Sequence, residues 1–94
     1  MMTTYTILYW QEIPSMIEAT DGHSSSKVQL SDRFQDLIDT TAMERGLFGT
    51  DKYIESFKKG PCIESNVSAK ETVLRIKDEL ENQYEEFVTA ATLS

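Results

Sequence analysis

Thr3-Thr4-Tyr5-Thr6-Ile7-Leu8-Tyr9-Trp10-Gln11-Glu12-Ile13-Pro14-Ser15-Met16-Ile17-Glu18-Ala19-Thr20, residues 3–20, is the stretch whose reading decides the fold. Residues 3–10 are almost all β-branched or aromatic, side chains that pack well on a pleated surface, so they predict a strand. Strand alternation sends Tyr5, Ile7 and Tyr9 to one face and Thr4, Thr6, Leu8 and Trp10 to the other. Neither face is wholly polar, which predicts a central strand. Gln11 to Pro14 interrupts it, because Pro14 has no N–H to give a ladder. Ser15 to Thr20 reads as a second strand, and the short connection predicts an antiparallel hairpin.

Beyond the hairpin, Asp21-Gly22-His23-Ser24-Ser25-Ser26 is a polar turn, and Lys27-Val28-Gln29-Leu30 is an extended segment leading to a helix. Ser31 is placed to cap that helix with Asp32 in its first turn, Phe34, Leu37, Ile38 and Ala42 recur at helical spacing, and Gly46 stops it. Thr50 starts a short second helix carrying Tyr53, Ile54 and Phe57, closed by Gly60-Pro61. Cys62 to Ser65 is a short strand candidate. Ser68-Ala69-Lys70-Glu71 is a capping box, and Val73, Ile76, Leu80, Tyr84, Phe87 and Val88 form one apolar stripe, predicting a C-terminal amphipathic helix over 68–91. The sum is a single α+β domain spanning 1–94. It has a small three-stranded sheet, mixed or antiparallel (β-β-α-α-β-α), with helices packed on one face and the Val28 segment as an optional added edge. A third strand beside the first is expected to run parallel to it, after a right-handed crossover.

The chain has 94 residues and a formal charge of −7, with an excess of acids in its last third. Affinity for nucleic acid comes mostly from Lys and Arg on phosphates, and Lys58-Lys59 is the one adjacent basic pair, so nucleic acid is not the expected partner. A cationic partner suits the field better, although acidity also serves solubility alone. Cys62 is the only cysteine, which excludes an internal disulfide and a cysteine metal cluster. The start of the chain lacks the basic and apolar regions of a signal peptide, and no apolar run approaches the ~20 residues of a membrane span, so a cytoplasmic protein without membrane contact is expected.

Three blocks carry a family resemblance: residues 5–14, then Lys27 to Gln35, then Ala42-Met43 with Gly49-Thr50-Asp51-Lys52-Tyr53. Together they resemble the small bacterial "virulence factor" domain family, in which a Tyr-Trp strand runs into an acidic-Ile-Pro turn and a Thr-Asp-x-Tyr helix start follows. The resemblance covers residues 5–58. It implies an association with virulence and no assigned catalytic residue. It also links stand-alone members with folate- and corrinoid-linked one-carbon proteins. A basic residue expected after the tryptophan is here Gln11.

The chemistry-bearing residues stand apart from one another. His23, the only histidine, sits in a Gly/Ser loop with no orienting partner in the sequence beyond Asp21. Cys62 lies near Lys58 and Lys59, whose charges favour a thiolate, yet no histidine or helix start accompanies it. Ser24 and Lys27 lack the rigid turn that Ser-Lys catalysis needs. Asp32, Asp36 and Asp39 read as a solvated helix face. No cofactor, metal or catalytic site is expected, and the chain reads as a non-enzymatic protein-interaction module or accessory subunit, binding a protein partner or itself. Tyr9 and Trp10 point to opposite faces, so one of them is an interface anchor on the open sheet, with Phe48 in its loop as another. The competing reading folds Trp10 over the sheet end. The alternative function is a small-ligand protein of folate or corrinoid metabolism, with a pocket between the first helix and the sheet lined by Tyr5, Phe34 and Tyr53.

Overall fold

The hairpin forms as its sequence dictates, but with a longer second arm. In the computed structural model, which describes residues 2–93, β1 (Thr3–Trp10) and β2 (Ile13–Thr20) pair antiparallel around a turn at Gln11-Glu12. Gln11 takes a left-handed backbone conformation with φ 52°, a strained choice for a residue with a Cβ. The Arg45 guanidinium holds the turn, donating to Gln11 Oε1 and, at 2.7 Å, to Glu12 Oε1. Pro14 is accommodated where the ladder slips: Leu8 faces Met16 but Tyr9 faces Pro14, leaving Ser15 unmatched.

β3 (Ser25–Gln29) adds to the free side of β2, with Ile17 opposite Val28 and Glu18 opposite Lys27. α1 (Asp32–Glu44) and α2 (Asp51–Glu55) follow, then β4 (Phe57–Lys59) and β5 (Ile63–Ser65), and both short strands pair antiparallel with β1 on its other side. Gly60, Pro61 and Cys62 divide what is otherwise one edge strand. The sheet is therefore five-stranded and wholly antiparallel, in the order β3-β2-β1-β4 with β5 beside β4 on β1. This corrects the expected three strands and the parallel crossover. α1 does not run back down the sheet. Its start at Ser31 is tied to Glu81 and the residue after its end, Arg45, to the β1–β2 turn, so it crosses the sheet end and releases the chain where β1 finishes. The next strand then has to run opposite to β1.

α3 (Ala69–Asn82) lies on the sheet over β2 and β3, and α4 (Tyr84–Leu93) packs against α1. Ser68 caps α3 by accepting the Glu71 N–H at 3.2 Å, as the sequence predicts. The predicted single C-terminal helix breaks at Gln83, the residue between α3 and α4. The break lets Tyr84 and Phe87 turn onto Phe34, with ring centroids 5.2 and 5.9 Å away. α1 ends in the paired bonds of a Schellman motif, Leu47 N–H to Ala42 O at 2.8 Å and Gly46 N–H to Met43 O at 3.2 Å, with Gly46 at φ 72°. Ile13, Ile17 and Ala19 of the sheet, Phe34 and Ile38 of α1, and Val73, Ile76 and Leu80 of α3 make one core. Each large apolar side chain there contributes about 1.5–3 kcal/mol by leaving water.

Candidate functional site

α3 packs on β2 and β3, where Ile17 and Ala19 are buried, and Glu18 between them turns to the opposite face. Cross-strand neighbours share a face, so Thr4 with Thr20, Thr6 with Glu18, and Glu18 with Lys27 form a row on the uncovered side. Glu18 is the centre of that row: Lys27 Nζ stands 3.3 Å from one of its oxygens and Lys59 Nζ 3.9 Å from the other. All three side chains are substantially exposed, so these pairs orient charge more than they stabilise the fold. Thr4, Thr6, Glu18, Thr20, Lys59 and Cys62 line a shallow groove of about 290 Å³. Thr6 closes its floor by donating to the Gly60 carbonyl at 2.9 Å.

The charge distribution separates the two sides of the molecule. The strands carry Lys27, Lys58 and Lys59 against Glu18 and Glu64, whereas α1, α3 and α4 carry ten acids against four bases. The chain's negative field thus belongs to its helical side, and the sheet is close to neutral.

Trp10 is an interior side chain. Beyond the slip it faces Ile13, has no exposed surface, and donates its indole N–H to the Tyr53 carbonyl at 2.9 Å. Its full burial removes Trp10 as an exposed anchor, the role expected for one of Tyr9 and Trp10. Tyr9 is half-buried beside the β4 edge; its ring would come within 3.1 Å of a Cβ on Gly60. Burial, and then the neighbouring Tyr5 hydroxyl, push the Tyr9 phenol above its ordinary pKa. Phe48 is 50% exposed and stacks edge-on against Tyr53 at 5.8 Å. Ile54 on α2 is 69% exposed, a further apolar surface residue that was not among the expected anchors.

The three expected pocket residues occupy separate places. Tyr5 pairs across the sheet with Ala19 and Ile63, Phe34 packs against α4, and Tyr53 stacks between Trp10, Phe48 and Phe57. Tyr53 also donates its hydroxyl to Asp39 at 2.7 Å, which gives that acid a structural partner. His23 is exposed in a turn closed by Asp21, whose carboxylate accepts the N–H groups of His23 at 3.0 Å and Ser24 at 2.9 Å. Those bonds, Ser24 first, hold Asp21 below the usual carboxylate range. Cys62 is exposed in the break between β4 and β5. Among the described residues, no group of three or more His, Cys, Asp or Glu side chains is arranged to hold a metal ion, and no helix is long and apolar enough to cross a membrane.

Fold and surface together define a small α+β domain, a five-stranded antiparallel sheet with four helices among the described residues. The chain belongs to the virulence factor family, whose model it matches over residues 8–88. The match runs past residue 58, where the sequence resemblance stopped, through α3 and into α4. No curated protein and no solved structure matches it.

Proposed function

We propose that this domain works as a protein-interaction module associated with virulence, docking the uncovered sheet face onto a protein partner that presents carboxylates to Lys27 and Lys59. One observation supports the reading: next to the buried Ile17 and Ala19 of β2, Glu18 turns to the opposite face and gathers the exposed Lys27 and Lys59, in a molecule otherwise dominated by acids. Threonines and a shallow groove suit a flat macromolecular contact better than an enclosed small ligand. Partner docking here involves no bond-making chemistry, consistent with the scattered placement of His23, Cys62 and the acids.

The test is quantitative binding to the partner identified from the native cell. Lys59→Glu, an exposed change, is expected to weaken binding at least tenfold, while Glu79→Lys on the helical side leaves it within twofold. Equal losses from both, or none from Lys59→Glu, would contradict the assigned face.

A further inference from the structure

The free edge of β3 and the flank of α3 above it share one level along the sheet, and together they form a self-complementary strip. The backbone sets the first half of this. Leu30 N–H bonds Ser15 O at 3.0 Å and Asp21 N–H bonds Ser24 O at 3.1 Å, both in the β2–β3 register. Hydrogen-bonded pairs alternate along an antiparallel ladder, so Ser26 and Val28 also turn their backbone groups toward β2. Ser25, Lys27 and Gln29 then turn theirs outward, at the end of a sheet where β3 pairs with β2 alone. No proline or bulge blunts this edge.

α3 sets the second half. Its first residue, Ala69, donates its N–H to Asp21 at 3.4 Å, and near its end Glu81 accepts from Ser31 N–H at 2.6 Å and Ser31 Oγ at 2.7 Å. The helix therefore runs alongside β3, and its middle lies level with Val28. Leu74 stands seven residues before Glu81, on the same helical flank, and is 52% exposed. Lys70 and Glu71 precede it by one turn; Lys77 and Asp78 follow by one turn.

We propose that a second copy of this chain docks here, β3 against β3 and α3 against α3, about one two-fold axis through Val28 and Leu74. On the strands, Lys27 falls opposite the partner copy's Gln29, which allows four backbone hydrogen bonds and keeps the two Lys27 ammonium groups from facing each other. On the helices, antiparallel about Leu74, Lys70 meets the other copy's Asp78 and Glu71 its Lys77. α3 packs over β3 as well as over β2 and, in part, β1, which brings its outer flank to the side of the sheet that a second copy would extend. The product is a continuous ten-stranded sheet, and its open face is left free. The dimer goes beyond the docking function proposed above and stands or falls separately from it.

Sedimentation equilibrium of the native chain at physiological salt is expected to give twice the 10.7 kDa chain mass. Lys70→Glu should raise the dissociation constant about tenfold or more, since symmetry converts two attractive contacts into repulsive ones. The double exchange Lys70→Glu with Asp78→Lys should restore it. Lys27→Pro removes an outward N–H and the exposed Lys27–Glu18 pair but no β2–β3 ladder bond, and should give monomer, with a far-UV spectrum confirming the fold; Leu74→Glu should do likewise from the helix side. A native chain at the single mass up to about millimolar concentration, or a double exchange that fails to restore a dimer lost in Lys70→Glu, would overturn the proposal.

Discussion

Replacing Trp10 separates the structural account from the one in which this residue is a surface anchor. Trp10 is fully buried at the end of β1, packed on Tyr53 with ring centroids 5.8 Å apart, and hydrogen-bonded to the Tyr53 carbonyl. Trp10→Ala removes the largest fully buried side chain. Large-to-small changes of this kind cost about 3–5 kcal/mol. A chain of this length has roughly 5–14 kcal/mol in total. The variant should therefore be near the edge of folding. Trp10→Phe keeps an aromatic ring but loses the indole N–H, a loss of about 1–2 kcal/mol, or roughly 5–15 °C in Tm for a small domain. Urea titration followed by far-UV circular dichroism is the assay, because Trp10 is the only tryptophan and fluorescence disappears with it. In the native chain that fluorescence should be blue-shifted and shielded from iodide. A Trp10→Ala variant within about 1 kcal/mol of the native stability would refute the burial argument.

Two further predictions test the supports of the fold. Burial pushes the Glu81 carboxyl pKa up, but hydrogen bonds from Ser31 and Arg33 outweigh it and hold the group below its usual range. A carboxyl depressed in the folded state adds stability above its unfolded pKa and loses it as pH falls through the folded value, so Glu81→Gln should lower stability at pH 7 and flatten its decline between about pH 5 and 3; a native-like slope in that variant would contradict the bridge. Gly46 has a φ of 72° and open space where a Cβ would stand, so Gly46→Ala should cost about 1–2 kcal/mol from backbone strain alone, read as a shift in urea midpoint without a change in slope.

Local chemistry was legible in the sequence wherever neighbours in the chain decide the outcome. The β-branched run of β1, the Ser68 cap and the Gly46 stop each depend on a few adjacent residues, and each is where the residues predict. Partners distant in sequence decide the rest. Phe57-Lys58-Lys59 has no strand signature of its own and is a strand because Leu8 to Trp10 offer it an edge. The direction of that strand follows from Glu81 holding Ser31 and Arg45 holding the β1–β2 turn, contacts no local pattern encodes. Trp10 is buried by Tyr53, 43 residues further along the chain, which strand alternation does not show. The break at Gln83 was hidden because Tyr84 and Phe87 continue the apolar spacing of α3 while serving a different neighbour. For the candidate surface, Glu18 and Lys27 become partners only once the β2–β3 register is known.

Differential lysine acetylation, read by mass spectrometry on the chain alone and in complex with its partner, tests the assigned docking face most directly. The account predicts that Lys27 and Lys59 lose reactivity on binding while Lys70 and Lys77 on α3 are unchanged. Protection of the α3 lysines, with Lys27 and Lys59 as reactive as before, would contradict it.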